Sequence, residues 1–168
     1  MKKYELLADD TIEFCGRTLH RIKACKDFEN VKSGELGGYI ESENNLSQVG
    51  DCWVYDDARI CSNAWVCGNA CVCGNAWVCG NAWVCGNAEI KRIQDVLVVG
   101  KIGSRNDFTT FFRNKDGGIS VKCGCFCGTI DEFTEKVSET HGDNKYGRVY
   151  RKCTELAKIQ ILEDVQDE

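Results

Sequence analysis

The chain has 168 residues, 26 acidic and 21 basic, and a net charge of −5, so bulk electrostatics gives nucleic acid or an anionic membrane no foothold. No apolar run approaches the ~20 residues of a membrane span, and the opening MKKYELLADD lacks a signal peptide's apolar core. The reading is a soluble, cytoplasmic protein with a core of ordinary size.

Residues 1–35 predict a β-hairpin cap. Tyr4-Glu5-Leu6-Leu7 and Thr11-Ile12-Glu13-Phe14 flank an expected turn at Asp9-Asp10, and Cys15-Gly16-Arg17 makes a second turn before Thr18–Ile22. His20, close to Arg21 and Lys23, reads as a packing or surface histidine.

From Asn63 to Ala88 the chain runs NAWVCG NACVCG NAWVCG NAWVCG NA, four near-perfect copies of a six-residue unit. A helix turning every ~3.6 residues would spread such a period around all its faces. Short strands joined by corners accommodate it, as in a parallel β-helix. Extending the register puts mid-side positions at Leu36, Ser42, Gln48, Val54 and Ile60, then at Val66, Val72, Val78, Val84 and Ile90. A second inward position falls at Ile40, Leu46, Cys52 and Ala58, and on through Ala64, Ala70, Ala76, Ala82 and Ala88. Gly-Asn corners separate the clean copies, because those residues tolerate tight-turn backbone at least cost. Ser42 and Gln48 break the aliphatic rule, which predicts an irregular first coil.

Residues 36–98 thus make a β-solenoid of about three coils, with residues eighteen apart stacked roughly 4.8 Å from each other. One outer face then carries Trp65 below Trp83, and another carries Arg59 below Trp77. The third carries Trp53 with Tyr55, then Cys71 with Cys73, then Glu89 with Lys91. All four tryptophans are expected outside. They serve either as ladder-stabilising rows under a covering segment or as a partner surface of Trp53, Tyr55, Arg59, Trp65, Trp77 and Trp83, with Arg59 stacked on Trp77. Five of the thirteen cysteines (Cys61, Cys67, Cys73, Cys79 and Cys85) share one repeat position, so they follow the repeat rather than a disulfide framework. In a cytosolic setting they are mostly thiols, with metal or disulfide ladders as the alternative.

Residues 99–168 read as a small α+β unit of ββαα type. Asp95–Val99 is a strand candidate, Asp107–Arg113 and Ile119–Cys123 form a hairpin about Asp116-Gly117, and Thr129-Ile-Asp-Glu132 is a capping box. That helix runs to about Thr140 with Ile130, Phe133 and Val137 inward, and Asp143 or Asn144 caps a longer one. Tyr146, Val149, Tyr150, Cys153, Ala157 and Ile161 mark the second helix's inner face.

Two constellations here could carry chemistry. Arg105, Asn106, Arg113, His141, Asp143 and Lys145 could form an anion-binding corner at a helix N-terminus, or serve as caps and ion pairs. Cys123, Cys125 and Cys127 with His141 offer three sulfurs and a nitrogen for zinc, although a straight strand would spread those sulfurs along about 13 Å. Gly100–Arg105 lacks the spacing of a phosphate-binding loop.

The tandem Val-x-Gly-Asn-Ala-x resembles the hexapeptide-repeat proteins, and that resemblance implies a left-handed parallel β-helix. Many members are trimeric acyltransferases that use coenzyme A thioesters and a histidine from the coils. This chain has no histidine between His20 and His141. The opening (Leu19–Ala24, Gly37–Glu43) and the tail (Gly103–Arg113, His141–Tyr146) are similar to uncharacterised bacterial and prophage proteins. A mobile-element setting implies inhibition of a host protein such as a phage-defence component. The function expected is therefore a non-enzymatic, cofactor-free protein-binding module that meets a protein partner or self-associates as a homodimer or homotrimer. The alternative is a degenerate acyltransferase using acetyl-coenzyme A, with His20 or His141 supplied across a trimer interface.

Overall fold

A computed structural model describes residues 1–164, so the last four residues of the expected C-terminal unit lie outside the described residues. The chain is mainly β, in several sheets, and ends in two helices. Strands β1 (Tyr4–Phe14) and β2 (Arg17–Ala24) form an antiparallel hairpin. Asp9 and Asp10, expected as a turn, sit instead inside β1. The register slips between Leu6 and Thr11, so the acidic pair forms a bulge within one long strand. The hairpin turn itself is Cys15-Gly16, as expected, with both residues at positive φ.

Strand β3 (Leu36–Ile40) begins the coil, followed by seven two-residue rungs. They are β4 (Trp53–Val54), β5 (Arg59–Ile60), β6 (Trp65–Val66), β7 (Cys71–Val72), β8 (Trp77–Val78), β9 (Trp83–Val84) and β10 (Glu89–Ile90). The rungs stack in three parallel ladders: β3-β5-β8, β4-β7-β10 and β6-β9. Arg59 pairs with Trp77, Trp53 with Cys71 and Trp65 with Trp83, each eighteen residues further on. Val54, Ile60, Val66, Val72, Val78, Val84 and Ile90 are all interior, as are the corner alanines. Alternating valine at mid-side with alanine near the corner fills a narrow interior at close-packed density.

The first coil follows a shifted register. Ile40 pairs with Ile60 and Leu46 with Val66, each twenty residues on, so Ile40 and Leu46 hold the mid-side positions. Two additional residues in the Ser47–Asp51 corner account for the slip. Leu36 is consequently exposed, and Ser42 caps a 3₁₀ turn (Glu43–Asn45). Gln48 turns to the cap instead of the core: its Oε1 accepts from Lys3 N at 2.8 Å and its Nε2 donates to Tyr4 O at 3.2 Å.

The same device opens and closes the coil. Asn45 is fully buried, accepts from Ser42 N and donates to Ser62 O and Ala64 O. Asp95, nearly as buried, ends the matching 3₁₀ turn (Ile93–Asp95) and accepts from Lys91 N and Arg92 N. Each turn replaces a glycine corner and hands the chain to Leu46 or Val96.

Beyond it, β11 (Val96–Ile102), β12 (Asp107–Arg113), β13 (Ile119–Cys123) and β14 (Phe126–Thr129) form one antiparallel sheet. The unit thus has four strands where sequence reading found fewer. Helices α1 (Ile130–His141) and α2 (Lys145–Leu162) pack on it, capped by Thr129 with Glu132 and by Asn144. Neighbouring residues of β12 divide their allegiance: Phe112 joins the coil's core, and Phe111 joins that of the helices. Ala88 bridges to Asn114 and Trp83 N donates to Thr110 Oγ1 at 3.0 Å, so the sheet covers backbone that the last coil would leave unpaired. Among the described residues no helix is long and apolar enough to cross a membrane.

Candidate functional site

The N-terminal cap, hairpin and following loop together, packs on two of the coil's three outer faces. On the Arg59–Trp77 face, the Phe14 ring stands edge-on to Trp77 at 4.8 Å, and the Arg59 guanidinium lies 4.6 Å over Phe14. Arg59 therefore stacks on Phe14, not on Trp77 as the eighteen-residue spacing suggested. Leu19, Tyr39 and Cys61 make a small separate core beneath. On the Trp53 face, Trp53 has no exposure at all. Tyr4 and Phe28 pack edge-on against it at 6.2 and 5.4 Å. Trp53 is outside the tube yet inside the protein, and it leaves the expected partner surface. Tyr55 is half-buried, and burial pushes its hydroxyl up to about 12.

The third face stays open. Trp83 is 43% exposed and Trp65 is half-buried one rung away. Asn63 Nδ2 donates to Asn81 Oδ1 at 3.3 Å, extending the ladder into the neighbouring corner. The C-terminal sheet supplies the opposite wall: the Lys122 ammonium stands 4.2 Å over the Trp83 ring while donating to Gly124 O at 2.7 Å. With Phe108, Thr110 and Asp107 these residues enclose a cleft of about 380 Å³. Chemically it offers two aromatic surfaces, amides that both donate and accept, and one ammonium, a set suited to an aromatic or acidic anchor. The aromatic row was legible in the sequence. Lys122 was not, because only the β12–β13 pairing brings it to the coil.

The cysteine set separates. Cys123 and Phe126 face each other across the β13–β14 turn, as do Lys122 and Cys127 one step along, so Cys123 and Cys127 project to opposite sides of the sheet. Cys123 Sγ lies 3.3 Å from Thr109 Oγ1, Cys125 is exposed in the turn, and Cys127 Sγ lies 3.1 Å from Cys85 Sγ. The straight strand considered for zinc is a hairpin turned at Gly124, and no three metal-ligating groups cluster with His141 among the described residues.

The expected anion corner also divides. Arg113 is held by Asp95 and by the carbonyl of Ile161, near the far end of α2, about 24 Å from Lys145 at its start. Asp143 pairs with Arg151 at 2.9 Å, and Lys145 and Asn106 are exposed. Arg105 and His141 both line a second cleft, between α1 and the β13–β14 turn. His20, at the opposite end of the chain, has its Nδ1 3.2 Å from Leu7 O.

These features define a mainly-β chain in which a three-ladder hexad coil, capped at both ends, leaves one tryptophan face open. No family model matches it. Over 42 residues, 25% of its length, the chain is 45% identical to the Escherichia coli (strain K12) protein named "Uncharacterized acetyltransferase YdcK". The match spans 13% of that relative's length.

Proposed function

We propose that the chain is a non-enzymatic binding module: a left-handed parallel β-helix of the hexapeptide-repeat type, displaying the Trp65–Trp83 cleft to a protein partner. The observation that carries this reading is the asymmetry of the tryptophans. Trp53 and Trp77 are roofed by the cap's own aromatics, while Trp83 stays 43% exposed beside a lysine. Exposed tryptophan with a neighbouring cation is the composition of an interface anchor. The resemblance of both ends to prophage proteins puts a host defence protein first among partners to test. Immobilised wild-type chain and a Trp65→Ala/Trp83→Ala variant, exposed to host extract, should differ in one retained protein, and the purified partner should then bind only the wild type. Sedimentation of both variants detects self-association through the same face. Identical retention and identical sedimentation would sink the reading.

The partial relative favours a second reading, acyl transfer from acetyl-coenzyme A. The hexad rungs carry no histidine, and His141 is stacked on Tyr150 at 5.8 Å in the helical unit. This reading requires saturable acetyl-coenzyme A binding in a calorimeter, and a flat titration at millimolar ligand dismisses it.

A further inference from the structure

The second cleft, about 500 Å³, lies wholly in the C-terminal unit and adjoins the tryptophan cleft at Asp107 and Gly124. That volume is within the range of small-molecule sites. Its floor is aromatic and aliphatic. Phe133 stands edge-on to Tyr150 at 5.5 Å and tilted to Phe126 at 5.4 Å, with Val137 beside them. Burial, then the contact with Cys123, holds the Tyr150 hydroxyl well above the usual phenol range, so it remains a neutral hydrogen-bonding group.

The charged rim is uneven. Arg105 and Lys136 face the cleft against the single carboxylate of Asp107, with the His141 ring also on its lining. Lys136 is drawn to Glu139 at 3.4 Å, and Asp107 Oδ1 accepts from Phe108 N at 2.8 Å. Arg105 pairs with no carboxylate among the described residues. Its guanidinium rests against the turn where Gly124 adopts φ +57, and a Cβ on Gly124 would come within 3.1 Å of Arg105 Nη1. The turn therefore leaves room for an unpaired cation at the mouth of an apolar pocket.

From this we infer that the cleft binds a small organic anion with a flat apolar body, its rings against Phe126, Phe133 and Tyr150 and its acid group on Arg105. A guanidinium donates to carboxylate, sulfonate or phosphate in the same forked geometry, so the class is defined by apolar body plus anion.

The probe is 8-anilinonaphthalene-1-sulfonate, titrated by fluorescence into the full chain, with neutral N-phenyl-1-naphthylamine as the uncharged counterpart. One sulfonate should bind per chain, and Arg105→Gln should weaken it about tenfold while leaving the neutral compound unchanged. Arg105→Lys should recover part of the loss, and raised salt should weaken the wild type by screening. Thr140→Trp, an exposed rim position, should exclude both compounds, whereas Trp65→Ala/Trp83→Ala should change neither. Circular dichroism melts establish that each variant folds. The inference is overturned if binding never saturates, if Arg105→Gln and Thr140→Trp bind like wild type, or if only the tryptophan variant loses the signal.

Discussion

Cys85 Sγ, on the last coil, lies 3.1 Å from Cys127 Sγ, on the C-terminal sheet. Both are thiols, yet they stand forty-two residues apart in the chain, and the contact ties the coil's core at Cys85 to the outer strand of the C-terminal sheet. Cys127 is exposed and Cys85 is nearly covered.

That juxtaposition predicts a zero-length crosslink. Hydrogen peroxide should take two electrons and two protons from the pair, giving one disulfide and two waters. Peptide mapping should find Cys85 joined to Cys127, and Cys127→Ser should abolish the product. Burial, then the bond to Cys127, pushes the Cys85 thiol up to about 12, so its reactive thiolate is scarce at neutral pH. Its alkylation should therefore rise about tenfold per pH unit across the mildly alkaline range, lagging the exposed Cys127. Labelling of Cys85 at neutral pH as fast as Cys127 would contradict the arrangement.

Much of this architecture was readable in the sequence, and the failures share one cause. The valine and alanine positions from Val54 to Ile90 follow from local period alone, as do the two helices with their Thr129 and Asn144 caps. What escaped depends on pairing between distant segments. Trp53 reads like every other indole in the repeat until Tyr4 and Phe28 close over it. The Ser47–Asp51 corner hides two added residues because a polar loop has no period to break. Cys123 and Cys127 look like neighbours on one strand until Gly124 turns the chain between them. The open cleft required both kinds of information, since its tryptophans are periodic and its Lys122 is not.

Two tryptophans that look alike in the repeat should answer truncation differently. Trp53→Ala empties a fully buried site between Tyr4 and Phe28, at a cost of about 3–5 kcal/mol. Trp83→Ala removes a 43% exposed ring and a cation–π contact with Lys122, at a cost of about 1 kcal/mol or less. Urea unfolding of the two variants makes the comparison, and equal losses would mean that the cap does not roof Trp53.

Glycines act in two distinct ways here, and substitution separates them. Gly38 lies where a Cβ would come 2.5 Å from Ala58 O and 2.7 Å from Val54 Cγ1, so its role is close approach of β3 to the next rungs. Gly80 has open space around it but φ +67, so its role is conformational. Gly38→Ala should lose about 3 kcal/mol by overpacking, and Gly38→Asn more. Gly80→Ala should lose about 1 kcal/mol, and Gly80→Asn less, because asparagine tolerates the left-handed region. The opposite ranking of alanine and asparagine at the two sites is the result to look for in thermal melts.

Alkaline pH should unfold the coil earlier than its packing alone would dictate. Cys71 and Cys85 are both pushed up to about 12 from the ordinary 9.0 of a thiol, chiefly by burial. Between those values the unfolded chain gives up protons that the folded chain keeps, so rising pH favours unfolding. The stabilisation is complete below about pH 9 and is lost progressively as pH climbs toward 12. Melting temperatures under reductant should be level from pH 7 to 8.5 and then fall steadily. Cys71→Val keeps an apolar side chain suited to a strand at that rung and removes the titrating thiol, so its decline should be shallower than wild type. Parallel declines in the two proteins would show that Cys71 contributes nothing to the pH dependence.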